Sequence, residues 1–377
     1  MLLRKAQPRP EEVLAIMKTL RFTLLPLFAT CLVMAQSGET VSLAEVYQNN
    51  DFQLTGISVS KTGRLFVNFP RWSDRYLNAV VEVMPDGSSK PFPNEEWNQW
   101  NLKPATAGEH FVCVQSVVVD DSDALWILDP AAPALASVVP GGAKMVKVDL
   151  KTNQVSRVIK FGPDVAKPDS YLNDVRFDLP RHTAYMTDSG HGGLVILDLE
   201  SGKAHRALDG NPSVLVEPGV QVVVNGKPLL VNGKPPQFNA DGIALSPDGA
   251  YIYYKPVTAL NLYRIKTEVL RDPAASPEKI AAAVEKVAKT FPTDGLWMDK
   301  NSNLYLSDVE HNAVARLSPD GKLERVLSDD RLQWPDTFSE GPDGSIYISA
   351  SHINDSPTYN RGKSTRTQPY MVFKFKP

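Results

Sequence analysis

Cysteine is scarce in this chain of 377 residues, which contains only Cys31 and Cys113. Two cysteines exclude a small scaffold held together by several disulfides. Cys113 lies in the apolar run HFVCVQSVVV, where we expect it to be buried as a small hydrophobic side chain. The net charge is also small, at −3, so the sequence carries no electrostatic footprint for nucleic acid or for an anionic membrane.

Common catalytic and nucleotide-binding motifs are missing as well. The chain has no G-x-S-x-G, H-E-x-x-H, G-x-x-x-x-G-K-[ST] or G-x-G-x-x-G pattern. The glycine-rich SGHGG at 189–193 lacks the spacing and the helix of a dinucleotide-binding loop. We therefore expect no organic cofactor, and a site made of side chains that are distant in sequence.

The N-terminal segment has the pattern of a targeting sequence. Two basic residues precede the apolar run 22–32, and VMA at 33–35 offers the small residues that signal peptidase requires. We expect translation to start at Met17, residues 1–35 to be a signal-peptide region, and the protein to be secreted or periplasmic. The alternative is a membrane anchor, which the shortness of the apolar run and Pro26 disfavour.

Glycine and proline are frequent, with 23 and 30 residues, which indicates many turns and short strands. One motif recurs six times: a short strand, a turn rich in Gly, Asp, Pro or Asn, and a second strand rich in β-branched and aromatic residues. The six copies are TGISVSKTGRLFVNF from Thr55, QSVVVDDSDALWILD from Gln115, NDVRFDLPRHTAYMTD from Asn173, DGIALSPDGAYIYYK from Asp241, DGLWMDKNSNLYLSD from Asp294 and DTFSEGPDGSIYISA from Asp336.

Several copies are followed by a further strand and turn, so each unit contains about four antiparallel strands. The starts are separated by 60, 58, 68, 53 and 42 residues, a spacing typical of β-propeller blades. The sequence predicts an all-β fold, a six-bladed β-propeller forming one domain over 36–377. Two β-sandwich domains are the alternative, but they would not repeat the first hairpin.

Three segments refine this prediction. We expect YMVFKFKP at the C-terminus and TVSLAEVYQ at 40–48 to complete the sixth blade and close the ring. Residues 276–289 predict a surface helix between the fourth and fifth blades, with Ser276 as N-cap and Pro277 at the first helical position. Residues 217–237 predict a β-hairpin or a mobile loop over one face.

The first residue of each repeat predicts a ring around one mouth of the propeller channel, because the innermost strands line that channel. The six positions are Thr55, Gln115, Asn173, Asp241, Asp294 and Asp336. Converging carboxylates raise each other's pKa or require a cation, and hard oxygen ligands favour Ca²⁺, Mg²⁺ or Mn²⁺. We therefore expect Asp241, Asp294, Asp336 and Asn173 as metal ligands. The alternatives are turn aspartates that accept backbone hydrogen bonds and a network of ordered water.

The loops after the second strands are predicted to return to the same mouth. We expect Asp294, His191, His311 and Lys255 as catalytic residues. Thr55, Gln115, Trp72, Asp188 and His352 are expected to contact the ligand. A single rim histidine is more often a surface residue than a catalytic base.

Over several longer sequence segments the chain resembles the major royal jelly protein and Yellow family. The resemblance rests on YLNDVRFD, AYMTDSGHGGLVILDLESGKAHRAL, DGIALSPDGAYIYYKPVTALNLYRIKTEVLRD, TDGLWMDKNSNLYLSDVEHNAV and DDRLQWPDTF, and it covers residues 50–377. It implies a secreted six-bladed propeller. Members of this family differ in function, including dopachrome-type conversion, binding of biogenic amines at the channel mouth, and nutrition, so the resemblance implies no single reaction.

A more distant likeness is to the regucalcin and gluconolactonase propellers, which are metal-dependent. That likeness implies metal ligands at Asp241 and Asp294 and a substrate contact at Asn173. The metal-binding glutamate of those proteins falls on Thr55, a departure that puts a lactonase site in doubt unless Asp336 replaces it.

Two hypotheses follow for the small-molecule site, one catalytic and one not. The first is a hydrolase or isomerase in which a divalent cation polarises a lactone or quinone carbonyl and a rim residue moves the proton. The second is a binding protein that holds an amine or aromatic ligand against aromatic side chains such as Trp72 without transforming it. Neither hypothesis involves nucleic acid or, after signal removal, a membrane, and the oligomeric state is left open.

Overall fold

The six repeats fold as six four-stranded antiparallel sheets in a computed structural model that describes residues 41–377. The innermost strand of each sheet contacts the innermost strand of the next, and that of the sixth contacts that of the first. The sheets are therefore blades of a closed ring, and the predicted six-bladed propeller is confirmed. The predicted signal-peptide region at 1–35 lies outside the described residues.

Each blade runs from an innermost to an outermost strand in sequence order, except for the sixth. The strands of blades 1 to 3 are Ile57–Val59, Leu65–Asn68, Val80–Val83 and Ser89–Pro91; Ser116–Val119, Ala124–Asp129, Lys144–Asp149 and Gln154–Lys160; Leu172–Asp178, Thr183–Asp188, Gly193–Asp198 and Ala204–Ala207. The strands of blades 4 to 6 are Ala240–Leu245, Tyr251–Pro256, Asn261–Lys266 and Glu285–Lys289; Thr293–Met298, Leu304–Asp308, Ala313–Leu317 and Leu323–Ser328; Pro335–Glu340, Ile346–Ala350, Tyr370–Phe375 and Ala44–Asn49. 

The helices within residues 41–377 are short. The α-helices are Glu95–Asn98, Thr267–Arg271 and Pro277–Ala282. Single 3₁₀ turns occur at Pro104–Thr106, Pro133–Leu135, Leu179–Arg181, Pro212–Val214 and Ile353–Asp355. Within the described residues no helix is both long and apolar enough to cross a membrane.

The ring closes where the two ends of the described chain meet. The strand Ala44–Asn49 pairs antiparallel with Tyr370–Phe375, with Ala44 opposite Lys374 and Asn49 opposite Tyr370. This confirms the closure expected from residues 40–48 and the C-terminal strand. Because the N-terminal strand covers the outer edge of the C-terminal strand, blade 6 is tied together from both ends of the chain.

The Asp-Gly pairs that open two of the repeats have a packing cause. A Cβ atom built on Gly242 would overlap the carbonyl oxygen of Asp294, and one built on Gly295 would overlap that of Asp336. Glycine therefore lets the innermost strands of neighbouring blades approach each other, and this approach brings successive aspartates around one channel.

Hydrogen bonds between blades hold the same backbone in place. Side chains at the end of one blade's second strand donate to the carbonyl oxygen of the next blade's ring residue. Thr187 Oγ1 donates to Asp241 O at 2.5 Å, and Ser349 Oγ donates to Thr55 O at 2.6 Å. These bonds fix the height of Asp241 and of Thr55 relative to the blade before each of them.

The predicted helix at 276–289 is only partly correct. Ser276 caps the helix by accepting a hydrogen bond from Lys279 N at 3.2 Å, but the helix ends at Ala282. The remainder, Glu285–Lys289, is the outermost strand of blade 4, so the insertion lies within that blade. Pairing with Asn261–Lys266 outweighs the helical propensity of the alanine-rich sequence.

The segment 217–237 contains the predicted hairpin, formed by Val223–Val224 and Lys227–Pro228. Its apolar side chains pack against Val257, Val309 and Trp334, and Val223 N donates to Glu310 Oε1 at 2.7 Å. The hairpin thus supports the back of a tryptophan that faces the channel mouth.

Candidate active or binding site at the channel mouth

The six predicted ring positions are all buried and follow one another around the channel. Gln115 Nε2 donates to Asn173 Oδ1 at 3.2 Å, Asn173 Nδ2 donates to Asp241 Oδ2 at 2.7 Å, and Asp241 shares a hydrogen bond with Asp294. Five of the six line one cavity. Thr55 does not line it, because its hydroxyl is fully buried and donates to Gln115 O at 3.3 Å.

The cavity has a volume of about 900 Å³, with the polar ring side chains at its floor and aromatic side chains on its walls. The aromatic residues that line it are Phe52, Phe69, Trp72, Tyr76, Tyr171, Phe238, Trp334, Tyr359 and Tyr370. An apolar pocket with a few convergent polar groups is the usual form of a small-molecule site.

The carboxyl groups of the floor are held in a form unlike that of exposed aspartates. Burial, followed by the nearby Asp294 carboxyl, raises the pKa of Asp241 and of Asp336 well above its ordinary value. Burial raises the pKa of Asp294 to about 6, although the indole of Trp334 donates to Asp294 Oδ2 at 2.5 Å and opposes that rise. The raised pKa values favour the protonated form of these carboxyl groups, and a hydrogen bond between Asp241 and Asp294 contributes to the shifts, so the floor carries fewer charges than carboxyl groups.

The amides of the floor are oriented by a chain of hydrogen bonds that begins at Trp72. Its indole Nε1 donates to Tyr171 Oη at 2.7 Å, and the Tyr171 hydroxyl donates to Gln115 Oε1 at 2.9 Å. An indole nitrogen only donates, so the Tyr171 hydroxyl accepts from Trp72 and keeps its own proton to donate to Gln115. If Gln115 instead donated to Tyr171, the tyrosine proton would have only the weak acceptor Cys113 Sγ, 3.8 Å away. Asn173 consequently presents N–H, rather than oxygen, to Asp241.

A buried ion pair near the floor connects the innermost strands of blades 3 and 5. Arg176, on the innermost strand of blade 3, donates through Nη2 to Leu296 O on blade 5 at 2.7 Å. The same nitrogen lies 3.9 Å from Asp174 Oδ2, and burial raises the pKa of this carboxyl. Sequence reasoning missed this pair. The signal was present, since Asp174 stands where three other repeats have glycine and Arg176 interrupts an apolar inner strand.

The predicted metal ligands do not fit a resident divalent cation in this arrangement. The described part of the chain contains no group of three or more His, Cys, Asp or Glu side chains placed to hold a metal ion. The Asn173 oxygen is turned away from Asp241, and Asp294 already accepts from an indole. Hydrogen-bond donors thus occupy one oxygen atom of each of the three ring carboxyl groups that a cation would use.

Both predicted catalytic histidines lie outside the cavity lining, which corrects their placement. His191 Nδ1 lies 3.0 Å from Asp169 Oδ2, and its Nε2 lies 2.9 Å from Lys167 Nζ. His311 Nδ1 lies 2.9 Å from Asp308 Oδ1, and its side chain is 56% exposed. Both loops reach the expected face, but their side chains are held by neighbouring residues around its edge.

Lys255 is also absent from the cavity lining, and its side chain is fully buried. Its Nζ donates to Ala259 O at 2.9 Å, to Thr290 Oγ1 at 3.0 Å and to Phe291 O. Burial lowers the pKa of Lys255 to about 7. With three acceptors around it, the ammonium ties blade 4 to the segment that leads into blade 5.

The predicted ligand contacts divide between wall and support. Trp72 and Gln115 line the cavity. Asp188 is fully buried and supports the loop after its strand, because its Oδ1 accepts from Gly190 N and from His191 N, each at 3.1 Å. His352 is 2% exposed and lies edge-on to Tyr370, at 5.8 Å between ring centroids, behind the wall that this tyrosine forms.

Trp334, Tyr171 and the other aromatic wall residues apart from Trp72 were not anticipated. Trp334 stands two residues before the ring residue Asp336 in the sequence WPD. Proximity in sequence to a ring position was the signal that would have found it.

Comparison with known proteins identifies the family. Residues 112–351 match the family model described as major royal jelly protein. The chain belongs to this family. Among curated relatives from Apis mellifera, major royal jelly protein 5 is 23% identical over 288 residues, covering 73% of this chain and 46% of that protein. Major royal jelly protein 3 is 21% identical over 305 residues, covering 78% of this chain and 53% of that protein. The chain therefore spans about half the length of these relatives.

Solved structures with a similar fold include a gluconolactonase from Xanthomonas campestris, at a TM-score of 0.56 and 12% identity, covering 89% of this chain and 90% of that one. A calcium-binding regucalcin from Agrobacterium tumefaciens has a TM-score of 0.53 and 13% identity, covering 89% and 93%. A luciferin-regenerating enzyme has a TM-score of 0.54 and 10% identity, covering 89% and 95%. At such identities the likeness establishes the propeller fold alone.

Proposed function

We propose that the cavity binds a small aromatic molecule that carries a protonated amine. The observation that supports this most strongly is the arrangement of three buried carboxyl groups, Asp241, Asp294 and Asp336, beneath aromatic walls. An ammonium group placed at the floor would replace the proton that the carboxyl groups now share. Aromatic faces such as Trp72 and Trp334 add cation–π and stacking interactions with the ligand.

The charge state of the floor gives the proposal a pH dependence. The ligand's ammonium pairs with ionised carboxylates, so binding releases protons from groups whose pKa is raised. Because the pKa of Asp294 is about 6, affinity for an aromatic amine is expected to rise between pH 5 and pH 8. A neutral ligand of the same shape is expected to show no such rise.

Calorimetric titration with tyramine and with p-cresol tests the proposal, since the two share a ring and differ in the amine. Wild-type protein is expected to prefer tyramine, and Asp336→Asn to reduce that preference roughly tenfold, the effect of about 1.4 kcal/mol. Asp169→Asn is the matched control, because Asp169 lines the same cavity but its side chain is 70% exposed. Equal affinity of wild-type protein for the two ligands would refute amine recognition, and calcium competing with tyramine would point to a cation at the floor.

A second candidate is isomerisation of a quinone-type ligand, and the proton-sharing pair Asp241–Asp294 favours it. Ionised Asp294 would take a proton from a ring carbon of the ligand while Asp241 gives its proton to the carbonyl oxygen. One proton leaves the ligand and one is added, so the product is an isomer and no oxidant or reductant is needed. The test is loss of the absorbance of a dopachrome-type substrate. Turnover that survives in Asp294→Asn would exclude this role for the pair.

We also propose that the protein is exported. The support is the basic, apolar and small-residue pattern at 17–35. The N-terminus of protein recovered from expressing cells is expected at Gln36. Recovery from the cytoplasm with residues 17–35 still attached would refute export.

A further inference from the structure

The loop at 130–137 presents an unusual leucine at the mouth of the cavity. Leu135 is 50% exposed. Among residues 41–377 the only other exposed large apolar side chains are Leu77 and Leu102, each 63% exposed, and Val158 and Leu323, which are 37% and 36% exposed. Leu135 alone among these five lines the cavity.

The backbone at this position is also unfavourable for leucine. Leu135 has φ +55° and the preceding Ala134 has φ +56°, both in the left-handed region where a side chain with a Cβ is strained. Glycine would relieve the strain and remove the exposed apolar surface. Half of the Leu135 side chain is uncovered by the rest of the protein and borders the cavity, so it is available for contact with a ligand there.

The loop is fixed in place against the wall that leads to the floor. Ala134 N donates to Arg71 O at 2.7 Å, next to Trp72. Trp72 in turn donates to Tyr171, which donates to Gln115 of the ring. One connected wall thus runs from Leu135 down to the polar floor.

The volume of the cavity indicates how large a ligand it can hold. Pockets for drug-sized ligands measure about 300–1,000 Å³, and this cavity, at about 900 Å³, is near the upper end. A single aromatic ring with a short amine fills only part of it. The remaining space lies between the aromatic walls and the mouth.

We infer that Leu135 is a specificity-determining residue that contacts a second apolar group of the ligand, so that the preferred ligand class is an aromatic amine with an apolar extension. The inference rests on the proposed function for the position of the amine. The ammonium lies at the carboxyl floor, the first ring lies between the aromatic walls, and the extension packs against Leu135 at the mouth.

The test compares tyramine with O-benzyltyramine by calorimetry in wild-type protein, Leu135→Gly and Leu102→Gly. Leu102 is the matched control because it is also left-handed, at φ +64°, and 63% exposed, but it is not part of the cavity lining. Wild-type protein and Leu102→Gly are expected to prefer the benzyl compound roughly tenfold, and Leu135→Gly only about twofold. An unchanged preference in Leu135→Gly, or no preference in wild-type protein, would overturn the inference.

Two further measurements separate this inference from folding and from the proposed function. Thermal unfolding is expected to show no loss of Tm in either glycine variant, since glycine relieves left-handed strain. p-Cresol and 4-benzyloxyphenol form a neutral pair with the same extension. If tyramine binds no better than p-cresol but Leu135→Gly still loses the benzyl preference, amine recognition fails and the Leu135 contact stands. Wild-type protein that binds none of the four compounds would overturn both.

Discussion

Blades 1–3 and blades 4–6 fill the same backbone position of the channel ring with different chemistry. The first three supply a neutral half, Thr55, Gln115 and Asn173. The last three supply an acidic half, Asp241, Asp294 and Asp336. The same kind of bond to a backbone carbonyl joins the halves at both of their junctions, from Thr187 to Asp241 and from Ser349 to Thr55, so the halves differ in the side chains that they present to the channel.

Each half ends at an indole that can only donate. Trp72 starts the chain that orients Gln115 and Asn173, whereas Trp334 donates directly to Asp294. In the neutral half that donor fixes the direction of amides, and in the acidic half it stabilises a negative charge. The two halves meet where Asn173 donates to Asp241, so the neutral half supplies one of the hydrogen bonds that the acidic half needs.

The largest expected effect is the dependence of stability on pH that the acidic half imposes. The pKa of Asp294 is about 6 in the folded protein and 3.8 in the unfolded chain, so the folded protein binds this proton more tightly. The resulting contribution to the free energy of unfolding is fully present below about pH 4 and is lost as the pH rises to about 6. The shift at Asp294 alone corresponds to a loss on the order of 3 kcal/mol in the free energy of unfolding. Urea unfolding at pH 4, 6 and 8 measures it.

Asp241→Asn sharpens this prediction, because its amide reproduces the protonated carboxyl by accepting from Asn173 and donating to Asp294. The variant is expected to be more stable than wild-type protein at pH 8 and to have a flatter pH profile. Asp121→Asn is the control, since Asp121 is exposed on a turn. Identical profiles for wild-type protein and Asp241→Asn would contradict the assignment of raised pKa values to the floor.

The second effect follows from extending the acidic half by one residue. Asn173→Asp places a fourth ring carboxyl beside Asp241 and removes the amide donor, which is expected to destabilise the protein by roughly 2 kcal/mol at pH 8. The loss should shrink at pH 5, where the new carboxyl is protonated. Asn301→Asp, at an exposed turn, controls for the change in net charge. A loss that is the same at both pH values would show that packing, rather than charge, separates the halves.

The fold was largely predictable because its cause is local and repeated. Alternating apolar residues and turns specify each hairpin, and six copies require a ring in which each blade covers its neighbour. The helix at 276–289 was partly wrong because its second part is a strand only through pairing with a distant strand. Local propensity carries no information about that partner.

The position of the candidate site was predictable from the sequence, but the hydrogen bonds and side-chain directions within it were not. The register of the repeats located the ring residues, since residues at one register lie at one height of the channel. The rim residues His191, His311 and Lys255 were expected at the site because their loops return to that face, but sequence does not give the direction of a side chain. The direction of the amides was equally hidden, because it depends on Trp72, 43 positions before Gln115 in the chain.

The smallest effect compares the two indoles. Trp72→Phe and Trp334→Phe each remove one hydrogen bond, worth about 1 kcal/mol in stability, so the total losses are expected to be similar. Their pH dependence should differ. Trp334→Phe withdraws a donor from ionised Asp294, which raises the pKa of that carboxyl above about 6 and moves the loss of stability to higher pH. Trp72→Phe acts on neutral amides and should leave the midpoint of that loss in place. Urea unfolding of both variants from pH 4 to pH 8 gives the pH midpoint of the loss of stability. If Trp72→Phe rather than Trp334→Phe moves this midpoint, the hydrogen-bonded amides, and not the indole at Asp294, control the charge of the floor.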